Sequence, residues 1–136
     1  MVQIQTKTLT LSEFLKLPET EPASEYVNGQ IIQKPIPQGK NRRIKGELVP
    51  AINVAFKNEK IALAFPELRC TFGGRSIVPD VTVFSWERIP VAQKGDVANV
   101  FETYPDWTIE ILSPGQSQTK VTGNILHCLK NGTKMG

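Results

Sequence analysis

The chain has 136 residues, of which 40% are hydrophobic and 21% charged, and a formal net charge of +3. That length supports one domain, residues 1–136, with a real core, and the composition argues against a disordered or fibrous chain. The small cationic excess is compatible with a polyanionic partner but does not demand one.

Cys70 and Cys128 show neither metal-ligand spacing nor a disulfide framework, so they read as small apolar side chains in a reducing compartment. The N-terminus lacks the basic-then-apolar pattern of a leader, and no apolar run approaches a bilayer's thickness. A soluble, cytoplasmic protein is the expectation.

Thr10-Leu11-Ser12-Glu13 fits a capping box, and a short helix with Leu11, Phe14 and Leu15 on its apolar face ends before Pro18. Two β-prone runs flank Asn28-Gly29, which predicts a hairpin about a type I′ turn. Pro35 and Pro37 stop its second strand. From Lys40 the apolar period changes. Ile44, Leu48, Ile52, Ala55 and Phe56 recur at three- and four-residue steps, predicting an amphipathic helix over 41–58 that Pro50 kinks or splits. Its polar face begins with Lys40, Arg42, Arg43 and Lys45, which either meet phosphate or form a solvated face.

Residues 61–65 and 68–72 are short strand candidates separated by Pro66-Glu67, and Gly73-Gly74 turns into a strand over 78–84. The interval 85–104 reads as a loop with a short helical turn, and such a long excursion usually has a function or is mobile. A strand over 107–112 follows. A last helix begins at Thr119 or Lys120, runs to about Asn131 with Val121, Ile125, Leu126 and Leu129 inward, and is capped by Gly132. These elements make an α/β or α+β sandwich. A right-handed β-α-β unit calls for a further strand after that helix; its absence is expected to mean either a sequence truncated after the last helix or an open sheet edge that another subunit covers.

Chemistry concentrates in 75–118. Asp80 follows a proline at the head of one apolar run, and Glu110 lies inside another. Carboxylates in such places need a neutralising partner. With no obvious local base, a divalent cation shared by the two acids is the sharpest reading. Glu67, Glu47 and Glu25 are further acids within possible reach. The single histidine, His127, falls mid-helix and reads as a packing residue, Trp107 reads as core, and Trp86 and Phe101 either pack locally or stack on bases.

Pro79-Asp80 followed thirty positions later by Glu110 has the layout of the PD-(D/E)XK nuclease core. More narrowly, Glu25-Tyr26-Val27-Asn28-Gly29, Gln38-Gly39-Lys40, Pro79-Asp80-Val81-Thr82-Val83 and Glu110-Ile111-Leu112-Ser113-Pro114, in that order, resemble the Uma-two family of restriction-endonuclease-like proteins. The resemblance implies a mixed β-sheet flanked by helices and Mg²⁺- or Mn²⁺-dependent cleavage of DNA, usually by a homodimer. It places metal ligation on Asp80, Glu110 and the Ile111 carbonyl; Glu67, between two strands upstream of Asp80, is a weaker candidate by its position alone. The family tends to carry its basic group in the following helix, where Lys120 would orient the attacking water or meet the scissile phosphate; Lys40, Arg42, Arg43 and Arg75 are the cations that a nucleic-acid-binding reading would place on phosphates.

The chain departs from the pattern in three places. Leu112 occupies the position of the E-x-K lysine, Asn41 stands where relatives commonly carry histidine, and the family's strand after the last helix is missing. These departures leave open an inactive nucleic-acid-binding module and a structural remnant of the fold.

Overall fold

The computed structural model describes residues 8–136; the leader reading of the N-terminus concerns residues that lie largely outside them. Helix α1 (Leu11–Leu15) opens the chain with the expected capping box between Thr10 and Glu13. The hairpin follows as β1 (Ser24–Val27) and β2 (Gln30–Gln33). Asn28 at φ +52° and Gly29 at φ +79° supply the left-handed pair that the tight turn requires.

Helix α2 (Gly39–Phe56) runs through Pro50 as one element, although the proline cannot donate to the Gly46 carbonyl. Its buried side chains are Asn41, Lys45 and Ile52, with Leu48 and Val49 packed beside them. Ile44, expected inward, is 48% exposed, while Lys45 is 8% exposed. The inward stripe keeps its helical period, but polar residues lead it because the first turns face a polar site.

Strands β3 (Ala62–Pro66), β4 (Cys70–Phe72), β5 (Arg75–Ile77), β6 (Val81–Ser85) and β7 (Trp107–Ile109) complete two antiparallel sheets. One has the order β2-β1-β5-β4 and the other β3-β6-β7. Of the expected strand over 78–84, only residues 81–84 pair, in β6; the preceding β5 is a separate strand of the other sheet. Pro79, which cannot donate to a ladder, lies at the crossing between them. Between β6 and β7 a single 3-10 turn, Trp86–Arg88, starts the long loop.

Side chains alternate across β6. Val81 and Val83 pack with Ile52 and Ala64 under α2, whereas Phe84 packs with Cys70, Ile89 and Phe101 on the other side. Phe101 is buried against Phe65 and Phe84, and Trp86 packs at the edge of the same cluster, so neither aromatic presents a free stacking platform. Trp107 packs against the first cluster.

Helix α3 (Gln118–Asn131) is capped by Ser117 and by Gly132 at φ +130°. It buries Val121, Asn124 and Cys128, and leaves Leu126 58% exposed and Leu129 outward as well. Its phase follows Asn124, which hydrogen-bonds Glu25 across the fold, rather than the leucines. After α3 the chain lies parallel to β7: Met135 bridges Trp107, and Thr108 N–H donates to the Met135 carbonyl at 3.0 Å. A single parallel bridge thus forms beside β7 at the edge of the second sheet, without a strand.

Candidate active site

The ladders put three acids in a row. Pro66 lies opposite Val81, and Val81 lies opposite Ile109. One step further along both ladders sets Glu67 opposite Asp80, and Asp80 opposite Glu110. Glu67 N–H donates to the Asp80 carbonyl at 3.1 Å, which holds the first pair. Ile111 N–H donates to Asp80 Oδ2 at 2.7 Å, which holds the second. That bond takes the place of a ladder bond and explains why β7 stops at Ile109, with Glu110 just beyond its end rather than inside a longer strand. Opposed residues of an antiparallel pair share a side of the sheet, so Asp80 and Glu110 face the same region.

Two ammonium groups enter this row. Lys34, at the end of β2, places Nζ 3.1 Å from Asp80 Oδ1 and 2.6 Å from the Val78 carbonyl. Lys45, on the buried stripe of α2, pairs with Glu67 at 2.5 Å and stands 3.6 Å from Asp80. The premise that these acids have no base nearby is therefore corrected. Lys34 is 46 positions from Asp80, so only the docking of the hairpin reveals it.

Glu25 faces the same group from β1, accepting from Val78 N–H at 2.8 Å and from Asn124 Nδ2 at 3.1 Å. Burial pushes its carboxyl upward, with those donors and Lys34 opposing. Glu110 is pushed up to about 8, first by burial, with Lys34 opposing and the charges of Asp80 and Glu25 adding to the rise. Burial works against the Lys34 ammonium, yet Glu110, Asp80 and Glu25 together hold its pKa above the usual lysine range. Four carboxyl groups thus meet two ammoniums, and Glu110 is the acid left without adequate countercharge.

That deficit fits a hard divalent cation. Mg²⁺ requires only one or two carboxylates, because it keeps several of its waters, and Asp80, Glu110 and the Ile111 carbonyl supply oxygen donors. Among the described residues no three His, Cys, Asp or Glu side chains are gathered as a ready ligand set. The Ile111 carbonyl accepts from Asn41 Nδ2 at 3.4 Å, and the same amide also bonds Ser113 Oγ. Asn41, where histidine was the family expectation, therefore ties α2 to the segment following Glu110.

A cleft of about 460 Å³ opens beside Glu25 and Glu110, lined also by Lys34, Arg75, Lys120 and Asn124, whereas Asp80, Glu67 and Lys45 line a separate cavity of about 30 Å³ that Lys34 also lines. Lys120 is exposed, in the first turn of α3, and shares this cleft with Glu110. Arg75 hydrogen-bonds the Gly123 carbonyl and Asn124 Oδ1 at its wall. Lys40, Arg42 and Arg43 do not line it; Arg43 instead pairs with Glu47 at 3.3 Å on the exposed face of α2. Glu47, weighed as a further acid, therefore lies away from the row. His127 stacks on Phe72 at 4.8 Å and bonds its carbonyl, a packing role.

Lys34 and Lys45 are the residues that sequence reasoning passed over. A signal for Lys45 did exist: stepping back from Ile52 by helical turns lands on Lys45 and Asn41, on the apolar stripe. Nothing local marks Lys34.

No helix among the described residues is long and apolar enough to cross a membrane. A search of the curated proteins finds no match. Among solved structures, the chain is similar to a crystal structure from Anabaena variabilis described as "a putative nuclease belonging to DUF820". The two are 66% identical with a TM-score of 0.90, over 92% of this chain and 70% of that one. The family model described as "Putative restriction endonuclease", Uma2, matches residues 11–136. With the match spanning nearly its whole length, the chain belongs to the Uma2 family of nucleases.

Proposed function

We propose that the protein is a divalent-metal-dependent endodeoxyribonuclease that hydrolyses phosphodiester bonds of DNA at the Asp80–Glu110 pair. The observation that carries this reading is the half-buried Glu110, which lines a cleft, stands opposite Asp80 and is short of positive charge. Asp80, Glu110 and the Ile111 carbonyl would hold Mg²⁺ or Mn²⁺, with Glu67 near enough to join only by releasing Lys45. Bound there, the metal would polarise a phosphoryl oxygen and ease deprotonation of water. Lys120 and Arg75, at the mouth and wall of the cleft, would receive backbone phosphates and orient the strand. Lys40, Arg42 and Arg43 would add only sequence-independent attraction from a separate face.

The proposed compartment is the cytoplasm, in keeping with two unpaired cysteines buried in the core. The proposed assembly is a homodimer, favoured by the outward Leu126 and Leu129 of α3; sedimentation equilibrium giving the monomer mass at micromolar concentration would remove it. A second reading, a binding module without turnover, is favoured by the lysines that already pair Asp80.

Incubation of supercoiled and linear duplex DNA with Mn²⁺ separates the two. Nicking or cutting that EDTA stops, and that Asp80→Asn and Glu110→Gln both abolish, is the expected result. DNA retained on the protein but left intact would select the binding module, and cutting that survives Asp80→Asn would reject the site.

A further inference from the structure

We propose that Lys34, reaching in from the end of β2, supplies the phosphate-contacting ammonium that Leu112 cannot supply. The proposal rests on the nuclease reading and goes beyond it by naming the cation that meets the reacting phosphate.

Three lysines compete for that role. Lys120 is exposed at the start of α3, with no backbone or side chain of the described residues holding its ammonium. Lys45 is committed to Glu67 at 2.5 Å and does not line the large cleft. Lys34 is both paired with Asp80, its side chain half-buried, and part of the cleft wall beside Glu110.

Its stem is fixed at the base. Lys34 N–H donates to the Ala23 carbonyl at 2.8 Å, and Pro35 follows immediately. Its ammonium has three donors, of which the Val78 carbonyl and Asp80 Oδ1 take two. The third is left for a group in the cleft. A cation positioned in this way by surrounding structure needs little rearrangement when negative charge develops near it. In the step itself, water oxygen bonds to phosphorus, and the bond from phosphorus to the bridging sugar oxygen breaks with its electron pair going to that oxygen. The water's proton passes to solvent, which also protonates the leaving oxygen. Lys34 donates a hydrogen bond to a non-bridging phosphate oxygen throughout and neither gains nor loses a proton.

In the metal-free protein the same ammonium sits among Asp80, Glu110 and Glu25, the acids a cation would seek. Lys34 should therefore weaken metal binding while promoting turnover, a pairing of effects that a merely structural lysine would not produce.

The test uses the full chain and three readouts: Mn²⁺ affinity by calorimetry, affinity for a short duplex in Ca²⁺ by fluorescence anisotropy, and duplex cleavage at saturating Mn²⁺. For Lys34→Met, Mn²⁺ should bind about tenfold more tightly, since a competing charge is gone. Its cleavage should fall about 100-fold, as when one preorganised donor is lost. Lys34→Arg, which keeps the charge but not the compact head, should fold normally and recover part of that loss. Lys34→Met that folds and cleaves within threefold of the unaltered protein would overturn the proposal. If Lys34→Met does not fold, Lys34→Arg cleaving at the unaltered rate overturns it instead, and slowed cleavage with Mn²⁺ affinity retained supports it. If the unaltered protein cuts nothing, the nuclease reading fails by itself. Duplex affinity unchanged in Lys34→Met and Lys34→Arg would then remove the phosphate contact too, whereas weakened affinity would preserve it.

Discussion

Replacing Glu110 with glutamine should stabilise the metal-free protein, and by an amount that depends on pH. In the fold this carboxyl is held up to about 8, against an ordinary value of 4.5, chiefly by burial and then by the charges of Asp80 and Glu25, with Lys34 opposing. Between those two values the unfolded chain has released the proton and the folded one has kept it. Stability therefore falls as pH rises through this window, is undiminished below 4.5 and levels off above 8. At pH 7 the gap, at 1.36 kcal/mol per pH unit, amounts to about 3 kcal/mol. Glutamine keeps the shape and is neutral in both states, so it escapes this cost. For a domain of this size the variant should melt about 10 °C higher at pH 7 and show no gain near pH 4. Scanning calorimetry of both proteins from pH 4 to pH 8.5 in EDTA measures the difference directly. Millimolar Mn²⁺ should then raise only the unaltered protein, by about 2.7 kcal/mol when the ion is at 100 times its dissociation constant. Melting curves that run parallel across pH 5–8, or a glutamine variant that melts lower at pH 7, would refute the argument.

Three further outcomes follow from particular contacts. Asp80→Ala strips Lys34 and Lys45 of a buried partner and leaves Ile111 N–H without its acceptor, so it should cost about 3–5 kcal/mol, read from the urea midpoint. Gly132→Ala would place a Cβ 2.5 Å from the Tyr104 ring at a residue with φ +130°; a loss of about 2 kcal/mol or more is expected, and an unchanged midpoint would show that the C-cap of α3 is misplaced. Cys70 and Cys128 are both fully buried, with thiols pushed by burial up to about 12 and about 11. A thiol-selective disulfide reagent at pH 8 should therefore label them only after denaturation, and rapid labelling of the native protein would contradict the packed core.

The local grammar of the chain was legible where a short stretch determines its own geometry. Thr10 and Glu13 close their capping box, Asn28-Gly29 makes its turn, and Gly132 caps α3. Asp80 and Glu110 stood out in the sequence because an acid at the head of one apolar run and another inside a second are chemically out of place. What could not be read was which residues answer them. Lys34 looks like any strand-end lysine until the hairpin docks. Lys45 was assigned to a polar face because helical periodicity was anchored on Ile44, which turns outward. The strand expected over 78–84 begins late, at Val81, for a related reason. Apolar content runs straight through Ile77, Val78 and Val81, but Pro79 interrupts the hydrogen bonding, so β5 ends at Ile77 in one sheet and β6 begins at Val81 in the other. In α3, Leu126 and Leu129 lost the inward positions to Asn124 and Cys128, because a long-range bond to Glu25 outweighs local hydrophobicity.

The passage of the backbone from one sheet to the other at Pro79-Asp80 has a thermodynamic corollary. Asp80 reaches 46 positions back to Lys34 and 31 forward to Ile111, and Glu25 reaches 99 forward to Asn124. No fragment shorter than residues 25–124 contains this arrangement, and neither sheet alone supplies all of its members. Whatever this cluster of charges binds or transforms, it comes into being only at the final docking of the two halves. A ligand that grips it therefore clamps the entire domain, and damage to either half silences it however distant the lesion.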